Sequence, residues 1–200
     1  MTDTILTLAE IGKLFYDLSV SMIGGTSPDV RLSWPTGGAP AFKVTDNVAF
    51  IRVYDAGSTI SNQQDVEYDY TASPEGYSET TSYTRTLMVN WIFYGSSSWD
   101  NAIKVRNGIF NQTHRNTLSI LNVYPIPDIK PPQRIPELWM SQWYERVDLS
   151  ISFNELVKIV KEVNYIEEVP IAVYDRNGLP VEMTVTESTV TIEQIKFSEV

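Results

Sequence analysis

Cysteine is absent from the sequence, and histidine occurs once, as His114. The first absence excludes disulfide bonds and thiolate metal sites, so stability has to come from packing. The second excludes histidine-rich metal sites and makes any Ser-His-Asp triad depend on one residue. The helical pattern around His114 explains it more simply, as a polar residue near the C-terminal end of a helix.

Long apolar runs are also missing. No stretch of about 18 apolar residues occurs, and no basic segment leads into an apolar one at the start of the sequence. We therefore expect neither a membrane span nor a secretory signal. We also expect synthesis in the cytoplasm.

Basic side chains are few. The 15 lysine and arginine residues stand against 25 aspartate and glutamate residues, which gives a formal net charge of -10. Affinity for a phosphate backbone comes from lysine and arginine replacing counterions, so this balance argues against nucleic-acid binding. An acidic surface would still let DNA pass without holding it. With 200 residues, 42% of them hydrophobic, the chain can bury the core of one domain.

Motifs that carry chemistry are missing as well. The sequence has no Walker loop, no dinucleotide-binding glycine pattern, no H-E-x-x-H, no calcium-binding loop and no complete G-x-S-x-G; the serines of GSSSW after Gly95 are explained by helix capping. Asp65, Glu67 and Asp69 alternate and could hold a cation weakly, but the glycine turn and the closing glutamate of a calcium loop are absent. We predict no cofactor and no metal.

Two helices are predicted. A stripe at spacings of three and four over residues 4–22 indicates the first, starting near Thr4 or slightly later at a Thr7–Glu10 capping box, and ending at Gly24. The second follows the serines at 96–98 and continues to Arg115. Its pattern is formed by Trp99, Ala102, Ile103, Ile109 and Phe110, with Asp100 in the first turn and Arg106, His114 and Arg115 towards the end.

Alternation and composition predict the strands. They lie at Asn47–Tyr54, at Tyr83–Tyr94 in a central position, at Leu118–Tyr124 and at 147–154. The segment Arg31–Pro40 reads as a turn, and residues 155–167 fit both periods, with a composition that favours strand. Residues 56–81 form either a long loop or the excursion of a hairpin, a kind of segment that is often functional.

The C-terminal part reads as a hairpin followed by one more strand. The Asn-Gly pair within Asp175–Pro180 is a strong hairpin signal, and TVTIEQIKF completes the pattern. We predict an α+β fold in which an antiparallel sheet is flanked by two main helices. Residues 1–173 would form the main domain, and residues 174–200 a β-rich appendage of the same domain.

Trp139 and Trp143 stand between a proline-rich segment and a strand. Five prolines in PIPDIKPPQRIP favour a stiff spacer, which explains PPQRIPE more simply than a peptide ligand for another domain. Tryptophan, tyrosine, methionine and arginine are concentrated here, and these residues carry most of the binding energy of protein interfaces. Either the two tryptophans form a contact surface, or they close the core of this domain.

Four motifs in succession resemble the neck or tail terminator family of bacteriophages over residues 4–173. They are R-x-S-W-P (Arg31, Ser33, Trp34, Pro35), NWIFYG (90–95), R-x-P-E (Arg134, Pro136, Glu137) and W-x-E-R-x-D-L (Trp143, Glu145, Arg146, Asp148, Leu149). The segment after about residue 174 lies outside these motifs.

The resemblance implies a structural virion protein of the neck or tail, without catalysis, in which a usually hexameric ring caps the tail tube and joins it to the head-tail connector. Tube, sheath or connector proteins would be its partners, and genomic DNA would pass through without specific binding. We expect the contacts at Trp139, Trp143, Arg134 and Tyr94, and those with a neighbouring ring at Asp65, Glu67 and Asp69.

Three alternatives stay open. One is another ring of the same machine, of the head-completion or tail-tube type. The others are a small monomeric hydrolase, whose acid pair nothing in the sequence singles out, and a monomeric peptide-binding module with an exposed groove.

Overall fold

The computed structural model describes residues 4–24, 29–33, 37–38, 40–72, 75–163, 173–174, 176 and 180–181. Its helices are α1 (Leu8–Ile23), α2 (Ser98–Phe110) and α3 (Gln112–Ile120), with a 3-10 turn at Thr59–Asn62. Its strands are β1 (Asp29–Leu32), β2 (Val48–Asp55), β3 (Asp65–Ala72), β4 (Glu75–Tyr94), β5 (Val123–Pro125), β6 (Gln133–Arg134), β7 (Glu137–Trp139), β8 (Gln142–Tyr144), β9 (Arg146–Val163), β10 (Val173–Tyr174) and β11 (Pro180–Val181). The chain divides into two compact units, residues 1–163 and 164–200.

The first unit is built on a seven-stranded sheet. Strand β4 lies at its centre, as predicted, with β9 along one edge and both β2 and β3 along the other. Short strands β5 and β6 pair with the far edge of β9, and all of these pairs are antiparallel. The predicted α+β fold, an antiparallel sheet flanked by helices, is confirmed.

The first strand is β1, which the sequence analysis did not predict. Its residues Arg31 and Leu32 fall in the segment predicted as a turn, so that boundary was wrong. Strand β1 pairs in parallel with β2, from Asp29 opposite Val48 to Leu32 opposite Ile51. The prolines and glycines that favoured a turn follow this strand, and four residues are too few for alternation to stand out.

The core lies between one face of the sheet and the helices. Alternate residues over 87–93 of β4 and 147–153 of β9 are buried there, namely Leu87, Val89, Trp91 and Phe93, and Val147, Leu149, Ile151 and Phe153. Helix α1 contributes Phe15, whose ring meets Trp91 edge-on at 6.0 Å and Phe153 at 4.7 Å. Burying a large side chain of this kind stabilises the fold by about 1.5–3 kcal/mol.

Helix α1 has the later of its two predicted starts. Thr7 and Glu10 form the capping box, and Gly24 ends the helix at a positive φ of 70°. The helix also supplies a polar contact to the core, because Ser19 Oγ accepts a hydrogen bond from Trp91 Nε1 at 2.7 Å. The indole N–H of the most bulky buried side chain is therefore satisfied.

The predicted second helix is two helices. Asn111 is extended, with φ -68° and ψ 133°, and its side chain accepts a hydrogen bond from the backbone N–H of Thr113, which makes it the N-cap of α3. His114 and Arg115 therefore lie in the first turn of α3, and the prediction that they end a longer helix was wrong. Asparagine is among the best N-cap residues, and this local preference outweighs continuation of the helix.

One further boundary near these helices was also wrong, whereas the predicted start of α2 at the serines is confirmed. Residues 118–120 belong to α3, so the strand predicted at Leu118–Tyr124 is reduced to β5. Ser97 occupies the N-cap of α2 but makes no side-chain cap hydrogen bond; its backbone N–H instead donates to Asn47 Oδ1 at 2.9 Å.

The two ambiguous segments are both extended. Within residues 56–81, strand β3 pairs antiparallel with the first part of β4, which selects the hairpin of the two alternatives. Strand β9 continues to Val163, so the preference for strand is confirmed for residues 155–163, while 164–167 lie outside the described residues. In the second unit β10 and β11 pair antiparallel on either side of the predicted turn. The predicted last strand lies outside the described residues, as do Trp34 and Pro35.

Candidate functional site

The two tryptophans of interest lie on a separate hairpin, which we call the tryptophan hairpin (residues 137–144). Its strands β7 and β8 pair only with each other among the described residues. Trp139 and Trp143 are 60% and 64% exposed, and Met140 at the tip is 80% exposed. The alternative in which the tryptophans close the core is therefore excluded.

The hairpin is apolar on both faces. Residues that pair across two antiparallel strands share a face, and successive residues alternate. Leu138 pairs with Trp143, while Trp139 pairs with Gln142, so the two tryptophans project from opposite faces. A projection of this shape matches a groove better than a flat surface.

The turn of the hairpin is strained. Met140 and Ser141 adopt positive φ values of 47° and 61°, the left-handed region that asparagine and glycine occupy at lower cost. A methionine in such a position carries its apolar side chain into solvent at the outermost point of the hairpin. Strain at an exposed position is a physical reason to look for a function there.

A polar network holds the base of the hairpin. Glu137 Oε2 accepts hydrogen bonds from Tyr94 Oη at 3.0 Å and from Arg146 Nη1 at 3.3 Å. Arg146 also binds Asp148 through two hydrogen bonds of 2.8 Å, and these raise the pKa of its guanidinium. Burial, followed by the hydrogen bond to Glu137, raises the pKa of Tyr94 to about 12, so this hydroxyl remains a donor at ordinary pH.

Arg134 lies beside this network. It belongs to β6, which pairs with the start of β9, and its guanidinium forms an ion pair with Glu145. Both side chains are exposed, so the ion pair stabilises the fold by less than about 1 kcal/mol. The structure thus brings together four of the predicted contact residues: Tyr94 and Arg134 at the base of the tryptophan hairpin, and Trp139 and Trp143 on the hairpin itself.

An aromatic cluster supports the same end of the sheet. Phe42 lies 5.3 Å from Tyr94, 5.7 Å from Phe50 and 6.0 Å from Tyr144, measured between ring centroids. Phe42 and Phe50 were not predicted as site residues, because the cluster joins residues from segments far apart in the chain. The only signal was the position of Phe50 on the face of β2 opposite the core.

The three predicted acidic residues lie elsewhere. Asp65, Glu67 and Asp69 share one face of β3, with Glu67 opposite Thr80 of β4. Thr80 and Tyr94 lie fourteen positions apart along β4, and at a rise of about 3.3 Å per residue this is about 45 Å along the strand. The seven predicted contact residues therefore form two separate surfaces at opposite ends of one strand.

The other face of β3 is aromatic. Val66, Tyr68 and Tyr70 are each more than half exposed, and Tyr77 of β4 lies opposite Tyr70. Tyr68 donates a hydrogen bond to Glu79 Oε2 at 3.0 Å, which raises the pKa of its hydroxyl. Within the described part of the chain, β3 pairs only with β4, so it is an edge strand.

A buried ion pair was missed by the sequence analysis. Glu155 is fully buried, and its Oε2 accepts hydrogen bonds from Arg85 Nη2 at 2.6 Å and from Arg85 Nε at 3.0 Å. The pair also binds the segment before α1, since Leu6 N–H donates to Glu155 Oε1 at 3.1 Å and Leu6 C=O accepts from Arg85 at 3.0 Å. Glu155 continues the inward positions of β9, which is a signal that could have found it.

The described residues include no candidate metal site. No group of three or more His, Cys, Asp or Glu side chains among them is placed to hold a metal ion. His114 contacts Ser21 Oγ at 3.2 Å and Gly108 O at 2.9 Å, so it connects the three helices. None of the described helices is both long enough and apolar enough to cross a membrane.

Comparison with known families identifies the family of the chain. The family model of the phage neck terminator protein matches residues 9–196. The chain belongs to the phage neck terminator protein family. The matched range includes the tryptophan hairpin and β3. It also includes most of the segment after residue 174, which the sequence motifs had left outside the resemblance. Comparison with curated proteins gives no match.

Membership in this family establishes the general role of the protein. A neck terminator protein is a structural protein of the phage neck or tail, located in the virion and associated with other neck and tail proteins. The family resemblance expected from the sequence motifs is confirmed. For this neck terminator protein the exposed apolar hairpin and edge strand are therefore candidate contact surfaces between proteins.

Proposed function

We propose that this chain is the subunit of a homo-oligomeric ring, of six copies, that terminates the phage tail tube and joins it to the head-tail connector. The observation that supports it most is the tryptophan hairpin, which projects from the sheet and exposes apolar side chains on both faces. Large exposed apolar patches on a folded protein mark contact sites.

The size of the hairpin surface fits an anchor for a partner. Leu138, Trp139, Met140 and Trp143 are each more than half exposed. Taking about 200 Å² for each side chain, they present about 500 Å² of apolar surface, compared with about 800 Å² per partner in a stable interface. The polar residues Arg134 and Tyr94 at its base would form the rim of that interface.

The second surface supplies the other contact of the ring. Asp65, Glu67 and Asp69, together with the aromatic face of β3, would meet a neighbouring subunit or ring. The formal charge of -10 supports passage of DNA without specific binding, because the acidic side chains repel the phosphate backbone.

Negative-stain electron microscopy of the protein with tail tubes from its own phage tests the proposal. We expect rings in solution or caps at one end of the tube for the wild-type protein. In Trp139→Ala/Trp143→Ala we expect the caps to be lost while the free energy of unfolding changes little, because both side chains are exposed.

Trp99→Ala is the matched control, since Trp99 is an exposed tryptophan on α2, outside both surfaces. Caps that survive loss of both hairpin tryptophans would contradict the proposed role of the hairpin. Binding at the head side without caps would favour the second candidate, another ring of the neck or tail. A protein that stays monomeric and ignores tubes would contradict both.

A further inference from the structure

The tryptophan hairpin keeps the register of the main sheet but forms a sheet of its own. Arg134 of β6 pairs with Val147 of β9, and three residues further along the hairpin on each side, Glu137 pairs with Tyr144. Between these pairs the strands are interrupted. A two-stranded hairpin is marginal in water by itself, so its direction depends on the contacts at its base.

The interruption lies where the register sets Pro136 opposite Glu145. Proline has no backbone N–H to donate and occurs in sheets mainly at edges and bulges. Glu145 directs its C=O to the turn after β4, where it accepts a hydrogen bond from Gly95 N–H at 3.2 Å. On the sheet side of the interruption, Ile135 N–H donates to Arg146 O at 2.8 Å. We call Pro136 and Glu145 the joint of the hairpin.

Side-chain hydrogen bonds cross the joint at Glu137. Its Oε2 accepts from Tyr94 Oη at 3.0 Å, at the end of β4, and from Arg146 Nη1 at 3.3 Å, at the start of β9. Arg146 is itself held by two hydrogen bonds of 2.8 Å to Asp148. In the described part of the chain, no other side chain of the hairpin is hydrogen-bonded to the sheet. Glu137 therefore ties the hairpin to β4 and β9, which pair with each other over 18 residues.

We propose that Glu137 is the positioning residue of the tryptophan hairpin: by bonding to Tyr94 and Arg146 it locks the joint and fixes the direction in which the hairpin meets a partner. This inference rests on the proposed function, in which the hairpin is a contact surface. A surface that is held in its bound direction has less freedom to lose on association, so it binds more tightly without any additional contact.

Aromatic packing determines which face of the hairpin is turned to the sheet. Glu137 and Tyr144 pair across β7 and β8, so they share a face, and Trp139 lies on that face as well. Tyr94 meets both residues of the pair, since its hydroxyl bonds to Glu137 and its ring lies edge-on 6.4 Å from Tyr144. With the joint locked, Trp139 is on the side of Tyr94 and Trp143 is on the other side. A turn of the hairpin at the joint would change the direction of both tryptophans.

Glu145 provides a matched control. Its side chain is 42% exposed and forms an ion pair with Arg134, while that of Glu137 is 45% exposed and forms one with Arg146. Arg134 and Glu145, however, join two segments that the backbone pairing of β6 with β9 already holds together. Loss of the Glu145 carboxylate should therefore leave the direction of the hairpin unchanged.

Because the chain has no cysteine, spin labels can be placed at Met140→Cys on the tip and at Ser150→Cys on β9, both at exposed positions. Pulsed electron paramagnetic resonance then measures the distribution of distances between the two labels in the full chain. We expect Glu137→Ala to broaden this distribution and Glu145→Ala to leave it unchanged. Glu137→Gln should restore a narrow distribution, because its amide oxygen still accepts a hydrogen bond and an exposed ion pair adds little.

The capping assay on tail tubes, with Met140 and Ser150 unchanged, measures the consequence for binding. Glu137→Ala should require about tenfold more protein than the wild type to cap half of the tubes, because the freed hairpin must be ordered on binding. Adding Tyr94→Phe should raise that requirement little further, since both changes remove the same hydrogen bond.

An unchanged distance distribution in Glu137→Ala would overturn the proposal, and so would equal broadening in Glu145→Ala. Broadening without a loss of capping would overturn it as well. Losses of capping that multiply in Tyr94→Phe/Glu137→Ala would show that each residue contacts the partner separately, which the proposal excludes. A wild type that forms neither rings nor caps would refute the terminator function, while broadening in Glu137→Ala would still support the positioning role of Glu137.

Discussion

Replacement of Glu155 by glutamine should destabilise the protein strongly. The carboxylate is fully buried and binds Arg85, whose side chain is 19% exposed. Removing one partner of a buried ion pair costs about 3–5 kcal/mol, because the other charge stays buried without a counterion. Water can reach part of Arg85, so we expect the lower end, about 3 kcal/mol.

The paired replacement Arg85→Met/Glu155→Leu separates charge from packing. Two apolar side chains of similar volume leave no uncompensated charge, which is often neutral or stabilising. The N–H and C=O of Leu6 lose their partners, at about 1–3 kcal/mol for each group if fully buried. Leu6 is only partly buried, so we expect the lower end for each. We therefore expect the double variant to lose no more stability than Glu155→Gln and much less than the sum of the two single changes.

Urea unfolding followed by tryptophan fluorescence measures these differences, since Trp91 lies in the core. Lys13→Met is the matched control, because the Lys13–Asp17 ion pair is exposed and within one helix, where loss costs about 0.5 kcal/mol or less. A Glu155→Gln variant within about 1 kcal/mol of the wild type would refute the reasoning. Additive losses in the double variant would refute the ion-pair explanation in particular.

Three further predictions concern the turn after β4 and the hairpin. Gly95→Ala should lower the free energy of unfolding in urea by about 2 kcal/mol or more, because Gly95 has φ 96° and a Cβ there would lie 2.5 Å from Asp46 O. Gly76→Ala is the control, and it should change the stability little because a Cβ there would lie in open space. Between pH 10 and 12 the wild type should lose stability more steeply than Tyr94→Phe, because the pKa of Tyr94 is about 12 in the folded protein and near 10 in the unfolded chain. Urea midpoints of the two proteins that fall equally with pH would contradict this. Met140→Asn/Ser141→Gly should keep or raise the stability, because asparagine and glycine suit the positive φ values at these positions. The same variant should cap fewer tail tubes in electron microscopy. Unchanged capping would show that Met140 makes no contact with a partner.

Strong local signals in the sequence predicted much of the architecture. The stripe of α1 with its Thr7–Glu10 capping box, and the alternation along β2, β4 and β9, depend on neighbours a few residues away, and the structure has them. Where two local signals competed, the prediction was wrong: Asn111 as an N-cap divided the second helix. The succession of four weak motifs was enough to predict the family, because their order and spacing over most of the chain are specific even where each motif is not.

The contact surfaces were decided by tertiary structure. Composition marked Trp139 and Trp143 as suitable for an interface or for a core, and only the position of the hairpin outside the sheet exposes them. The separation of Tyr94 from Glu67, the cluster around Phe42 and the burial of Glu155 against Arg85 all depend on which strands lie side by side. Strand pairing brings together Arg85 and Glu155, which are 70 positions apart in the chain. No local pattern records such a pair, because its energy exists only after the sheet has formed.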